Sequence, residues 1–280
     1  MKWQRELDLA TRIAREAGEV TMRWFRAGPL AGTGGPAAAP TVETKADGSP
    51  VTIADREAER LLRDRIAAAF PDDGILGEEW GEEAGTSGRR WILDPIDGTK
   101  SFIHGVPLYG VMVALEADGD AVVGVLRFPP LDETVAAAKG AGCAWNGHPA
   151  SVSSVDRLDN ALVLTTEYAR IVSTTSPPSL GSRSGEDGLA ARANGLAGLA
   201  GRAGIVRTWG DCYGYALVAT GRAEAMLDPT LNAWDAAAVR PIIEEAGGVF
   251  TDWDGNPSHL SGSAVATNAA LADEVRRCLS

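Results

Sequence analysis

Histidine and cysteine are both scarce, three of each in 280 residues, and their placement closes several catalytic routes. His104, His148 and His259 form no H-x-x-x-H or H-E-x-x-H pattern, which argues against a zinc hydrolase. Cys143, Cys212 and Cys278 are widely separated and odd in number, as suits a reducing compartment. A cysteine phosphatase needs an Arg six residues after its Cys. Pro149 and Val218 stand there after Cys143 and Cys212, and the chain ends too soon after Cys278. No G-x-S-x-G elbow is present. No apolar run reaches membrane-spanning length, and the N-terminus carries charges where a signal peptide needs an apolar core. The expectation is a soluble, cytoplasmic protein. Basic charge is also short, 26 Lys and Arg against 38 Asp and Glu for a net charge of −12. That balance argues against a nucleic-acid or anionic-membrane partner. An anionic substrate would need a local reversal of this field, and a divalent metal is the obvious means.

What is present reads as an ordinary globular chain, 45% hydrophobic and 23% charged. Its length suits one large domain or two lobes. The expected division is an N-terminal α+β lobe over 1–152 and a C-terminal α/β lobe over 153–280. Leu7, Ala10, Ile13, Ala14, Ala17, Val20 and Trp24 recur at helical spacing and predict an amphipathic helix from Leu7 to Phe25. A second helix starts at Thr52, with Ala54, Ala58, Leu61, Leu62, Ile66 and Ala69 on one face. Tyr109 to Glu116 and Ala121 to Phe128 read as strands of a hairpin, and Asn146-Gly147 as a tight turn. A strand from Ala161 to Thr166, a helix from Tyr213 to Thr220, a strand from Ala223 to Leu227 and a last major helix from Trp234 to Ala246 follow. Val249 to Thr251 and Ala264 to Ala266 read as final core strands. Residues 27–44 and 171–204, rich in small residues, read as loops, the second running into a weakly amphipathic helix. Strands and helices mix throughout, which predicts an α/β or α+β fold of layered sheets and helices.

The chemistry concentrates in carboxylates. Trp91 to Leu93 read as a buried strand that breaks at Asp94-Pro95, with Asp97, Gly98 and Thr99 just beyond. Two acids leaving a strand end, with φ fixed by Pro between them, suit a hard cation. Gly98 permits close backbone approach, and N–H groups at a helix start there suit a phosphate. An Asp-Pro turn with a solvated end is the bland reading of the same residues. Glu78 and Glu79 follow a short apolar step and read equally as surface charges. Asp55 sits three residues after Thr52 as in a capping box, and Asp235 opens a helix where it could serve only as an N-cap. Taken together, Glu78, Asp94, Asp97 and Asp235 form an oxygen-only set that favours Mg²⁺. Two such ions could activate water against a phosphate ester, with Thr99 accepting a hydrogen bond from that water and Glu79 helping to orient it. Asp252-Trp253-Asp254 after Val249-Phe250 resembles the nucleophile motif of haloacid dehalogenase-type phosphatases. Asn256 departs from that pattern, and an exposed turn is the better account.

Gly77-Glu78-Glu79, then Asp94-Pro95-Ile96-Asp97-Gly98-Thr99, then Trp234-Asp235-Ala236-Ala237 with Glu244-Glu245-Ala246-Gly247-Gly248 keep a specific order and spacing. Over nearly the whole chain they resemble the inositol monophosphatase-like family. The resemblance implies a layered αβαβα sandwich of the inositol monophosphatase and fructose bisphosphatase type. It also implies hydrolysis of a small phosphorylated metabolite with two or three Mg²⁺ ions, and a homodimer. Carried over, Glu78, Asp94 and the Ile96 carbonyl hold one metal, and Asp94, Asp97 and Asp235 a second. Gly98 and Thr99 meet the phosphate, and Thr99 and Glu78 stand near the attacking water. Lys45 and Asp55 match the Lys and V-T-x-x-D positions near a third metal and the phosphate. Lys100-Ser101 departs from the inositol-type continuation Thr-Asn. Trp209-Gly210-Asp211-Cys212-Tyr213-Gly214-Tyr215 and Asp228-Pro229-x-x-Asn232-x-Trp234-Asp235 are similar to the histidinol-phosphatase branch. Asp211, Asp228 and Asn232 would then accept from the ammonium and imidazole of histidinol phosphate. A polyol would also accept such partners, which leaves inositol 1-phosphate and a 3′-phosphoadenosine nucleotide as alternatives. A non-catalytic metal-binding module is a further one, but it predicts loss of a ligand, and every expected carboxylate is present.

Overall fold

The structure, a computed structural model, describes residues 2–26, 42–44, 50–166 and 195–279. Helices α1 (Gln4–Met22) and α2 (Ile53–Ala69) lie on one face of an eight-stranded sheet. A two-stranded ribbon, β1 (Glu43–Thr44) with β2 (Pro50–Val51), precedes α2. The large sheet comprises β3 (Gly74–Gly77), β4 (Gly81–Glu83), β5 (Arg89–Asp97), β6 (Gly110–Ala117), β7 (Asp120–Phe128), β8 (Glu133–Ala138), β9 (Gly142–Trp145) and β10 (His148–Ala150), with the short helix α3 (Thr99–Ile103) after β5. Its spatial order is β10-β9-β8-β7-β6-β5-β3-β4, antiparallel except where β3 pairs with β5.

Side-chain alternation divides the core. Val111, Val113, Leu115, Val123 and Val125 pack with Leu9, Ile13, Leu62 and Ile66 of α1 and α2. Met112, Ala114, Leu126 and Phe128 face the other way, into a middle layer with Tyr215, Val218, Val239 and Ile242. That layer consists of α4 (Asp211–Ala219), α5 (Ala233–Ala237) and α6 (Val239–Glu245). A five-stranded sheet closes it from the far side: β11 (Leu162–Leu164), β12 (Ile205–Arg207), β13 (Ala225–Asp228), β14 (Val249–Thr251) and β15 (Ala264–Thr267), in the order β12-β11-β13-β15-β14. Beyond it, α7 (Ala272–Leu279) and helical residues 195–200 bury Leu196, Leu199, Val275 and Leu279 against Val163 and Val265. The layers run helix, sheet, helix, sheet, helix, the expected αβαβα sandwich. Among the described residues no helix is long and apolar enough to cross a membrane, and all three cysteines are unpaired.

Four local expectations need correction. The strand at Trp91 does not break at Asp94-Pro95 but runs on to Asp97 through a bulge, because Pro95 lacks only an N–H and the pairing resumes beyond it. The single helix expected from Trp234 to Ala246 is two. Pro241 has no N–H to give the Ala237 carbonyl, and the helix is interrupted at Ala238. Helix α7, with its apolar side on the outer core, follows the strands that read as the final core elements. Asp252 is not exposed: at 2% exposure its carboxylate accepts from the Asn256 N–H and Nδ2 at 2.7 and 2.9 Å, closing its own turn. Residues 27–41, Lys45 and most of the 171–204 stretch lie outside the described residues.

Candidate active site

In a regular strand, residues three apart face opposite sides of the sheet. Asp94 pairs with Met112 and Asp97 with Gly110, so Pro95 and Ile96 together stand against Val111 alone. The extra residue brings both carboxylates to one side. The Ile96 N–H donates to Asp94 Oδ1 over 3.0 Å and fixes the turn, and Thr99 Oγ1 donates to the Ile96 carbonyl over 3.1 Å. Gly98 then takes φ +87°, and α3 starts. A Cβ at Gly98 would stand 2.9 Å from Asp211 Oδ2, so both the turn and the approach of Asp211 demand glycine.

The second half of the chain completes the cluster. Asp235 is the third residue of α5, not its N-cap. Asn232 is the cap, and its N–H donates to Asp235 Oδ2 over 2.7 Å. Carboxylate oxygens of Asp94, Asp97 and Asp235 all lie within 4.8 Å of one another. The Cys212 N–H, in the first turn of α4, donates to Asp97 Oδ2. From the other side, the Glu78 N–H donates to the Leu93 carbonyl over 3.2 Å where Gly77 pairs with Leu93, so Glu78 sits beside Asp94. Asp55 repeats the logic of Asp235. Its Oδ2 accepts from the Thr52 N–H at 2.8 Å and Oγ1 at 2.7 Å, while its buried Oδ1 has no partner. Capping and ion binding are therefore compatible at Asp55, since each needs one oxygen.

The electrostatics are those of a site short of positive charge. Burial, then the charges of Glu78, Asp97 and Asp235, pushes the Asp94 carboxyl well above the usual range. Burial and Asp211 do the same to Asp97. Asp235 is pushed up to about 7 by burial and the charge of Glu78, against the Asn232 hydrogen bond that lowers it. Asp55 is pushed up to about 6, mainly by burial, with Glu78 adding to the rise. Mutually repelling carboxylates with an orphaned buried oxygen fit a hard divalent cation, which takes oxygen ligands and offsets their charge.

The model of the inositol monophosphatase family matches residues 2–279. The chain belongs to the inositol monophosphatase family. It is a phosphatase of that family, a phosphoric monoester hydrolase. A histidinol-phosphatase of Chlorobaculum parvum is 44% identical over 95% of this chain and 93% of its own. An inositol-1-monophosphatase of Rhizobium meliloti is 35% identical over 85% of each chain. Among solved structures, the extragenic suppressor protein suhB from Bartonella henselae superposes with a TM-score of 0.83 at 28% identity, covering 99% of both chains.

The remaining sequence candidates of this family member fall around the cluster, except Lys45, which lies outside the described residues. Glu79 follows Glu78 in the turn after β3. Asp211, at φ +52°, donates its N–H to Thr166 Oγ1 over 2.9 Å and turns its carboxylate over Gly98. Asp228, at the end of β13, is buried and accepts from the Tyr215 hydroxyl and the Thr166 N–H. The exposed Asn232 directs its amide to Asp235 at 3.4 Å. Sequence reasoning missed Glu59 and Thr166, and named Cys212 and Tyr215 within a motif without a bonding role. Each acts through a hydrogen bond to a distant partner, and no local pattern records such a bond.

Proposed function

We propose that the chain is a Mg²⁺-dependent histidinol-phosphate phosphatase that releases histidinol and inorganic phosphate. The observation that carries the phosphatase chemistry is the convergence of Asp94, Asp97 and Asp235 within 4.8 Å. The histidinol-phosphatase relatives, 44% and 39% identical, support the substrate. Glu78, Asp94 and the Ile96 carbonyl, and Asp94, Asp97 and Asp235, are assigned to two Mg²⁺ ions, with Asp55 toward a third. Bound there, Mg²⁺ supplies electrostatic stabilisation for the charge that develops during phosphoryl transfer.

The phosphate is assigned to the Gly98–Thr99 turn. Because Thr99 Oγ1 donates to the Ile96 carbonyl, its lone pairs face outward as acceptors for an attacking water. Glu78, alongside, takes the proton from that water as its oxygen bonds to phosphorus and the P–O bond to histidinol breaks, and that proton is returned through water to the departing alkoxide. Asp211, Asp228 and Asn232 supply acceptors for the ammonium and imidazole, with the two carboxylates contributing charge. The test is phosphate release, with Mg²⁺, from histidinol phosphate, inositol 1-phosphate and a nucleotide 3′-phosphate. A preference for histidinol phosphate in kcat/KM of about 100-fold or more, near 2.7 kcal/mol, is expected. Preference for either other ester overturns the substrate assignment and leaves the metal site in place.

A further inference from the structure

We propose that Glu59 is a positioning residue for the metal site, setting the turn that presents Glu78; this rests on the assignment of Glu78 to the metal. Glu59 lies on α2 one turn beyond Asp55 and is completely buried. Its Oε2 accepts from the Glu79 N–H over 2.7 Å. Its Oε1 accepts from the Trp80 N–H over 3.2 Å and from Arg63 Nε over 2.8 Å. Arg63 then donates to the Gly81 carbonyl. One carboxylate thus collects both backbone donors that follow Glu78, and its guanidinium partner ties down the start of β4.

Gly77 records how closely this group is seated. A Cβ there would stand 2.0 Å from Glu59 Oε1. The glycine of Gly77-Glu78-Glu79 is therefore explained by a residue of another element, 18 positions earlier in the chain.

The burial argues for more than a structural prop. Residues 78–80 bridge paired Gly77 and Gly81, Trp80 is 57% exposed, and all of β4 is exposed. Water would satisfy such a turn, whereas a buried carboxylate carries a large desolvation cost. What Glu59 adds is a fixed placement of Glu78 relative to Asp94, from the same helix that supplies Asp55. Outer groups that orient ligands in this way are typically worth about 10- to 100-fold in metal affinity or activity.

The test compares Glu59→Gln, Glu78→Gln and the double variant. It uses the Mg²⁺ midpoint for activity on a small aryl phosphate and the Mg²⁺ midpoint for thermal stabilisation of the protein alone. The amide keeps the volume of Glu59 but turns an NH₂ toward groups that are themselves donors. Both midpoints are expected to rise about 10- to 100-fold in Glu59→Gln, while kcat at saturating Mg²⁺ falls far less. In the Glu78→Gln background, Glu59→Gln adds no further shift, because it acts through the same turn. A folded Glu59→Gln with unchanged midpoints, or one whose shift adds in full to that of Glu78→Gln, overturns the proposal. Unchanged midpoints in Glu78→Gln overturn the metal assignment of Glu78 itself, and are separable from the first result. Where Glu59→Gln does not fold, Arg63→Met decides: a shift in the same direction supports the proposal, and unchanged midpoints overturn it.

Discussion

Tyr215 donates its hydroxyl to Asp228 Oδ2 over 2.8 Å, while the Thr166 N–H donates to Oδ1 over 3.2 Å. Burial and the charge of Asp228 hold the Tyr215 phenol well above its usual range, so it remains a donor at any working pH. Both carboxylate oxygens are thus oriented from within the fold. Asp228→Asn is therefore expected to cost kcat/KM on histidinol phosphate about 10- to 100-fold, the loss of a hydrogen bond to a charged group. Hydrolysis of a small aryl phosphate, which has no ammonium, should be nearly unchanged. Equal losses on the two substrates would remove Asp228 from substrate recognition.

Asp94 joins both assigned metal positions, and its own repulsions raise the energy of the metal-free fold. Asp94→Asn removes one buried charge and keeps the shape. Activity is expected to fall about 10³-fold or more, since several kcal/mol of charge stabilisation goes with the ligand. The melting temperature without Mg²⁺ is expected to rise above wild type, and Mg²⁺ should then stabilise the variant less. Activity at wild-type level would eliminate the two-ion arrangement, and a lower metal-free melting temperature would show that Asp94 is chiefly structural.

The same repulsions set a pH dependence. Asp55 and Asp235 titrate near 6 and 7 in the folded protein, against an ordinary value near 3.8. Below about pH 4 both states are protonated; between about 4 and 7 the unfolded chain releases protons that the folded chain keeps. Stability of the metal-free protein should therefore fall as pH rises through this window, by at least about 1 kcal/mol, since one pKa unit is worth about 1.4 kcal/mol. Carboxyls held low by cationic partners, such as Asp120 beside Lys139 and Glu16 beside Arg65, act in the opposite sense and at lower pH. Mg²⁺ selects the ionised form, so its stabilisation should grow across the same window. Chemical denaturation at pH 4.5 and 7.5 (about the two ends of the window), with and without Mg²⁺, checks this. An Mg²⁺ effect independent of pH would detach the ion from these carboxyls.

Much of this was readable from residue order. Alternation along β6 and β7, helical spacing in α1 and α2, and the acids of the three motifs were all visible, because each depends on local period or on a short pattern. The sharing of one site by Asp94 and Asp97 was not, because the bulge depends on pairing with Met112 and Gly110. Glu59 and Arg63 look like a solvated i,i+4 pair, and only packing against Gly77 shows Glu59 buried and Arg63 partly so. The capping-box reading of Asp55 was accurate and incomplete, since it accounts for one oxygen and leaves the other without a partner.

Gly98 tests the turn itself. Its φ of +87° is one that alanine reaches at a cost of about 1–2 kcal/mol, and the new methyl would meet Asp211 Oδ2 at 2.9 Å. The side chain of Asp211 can swing away, so Gly98→Ala should fold with a loss of about 2 kcal/mol. The activity cost should be larger. Shifting Asp211 moves a carboxylate whose charge acts on Asp97, and opening the turn displaces Thr99, whose hydroxyl is fixed by the Ile96 carbonyl. A misplacement of this size at a phosphate turn is expected to lower kcat/KM about 100-fold on every phosphate ester, aryl phosphate included. Measured well below the melting temperature, a loss confined to histidinol phosphate would place Gly98 with substrate recognition rather than with the phosphate, and full activity would clear the turn of both roles.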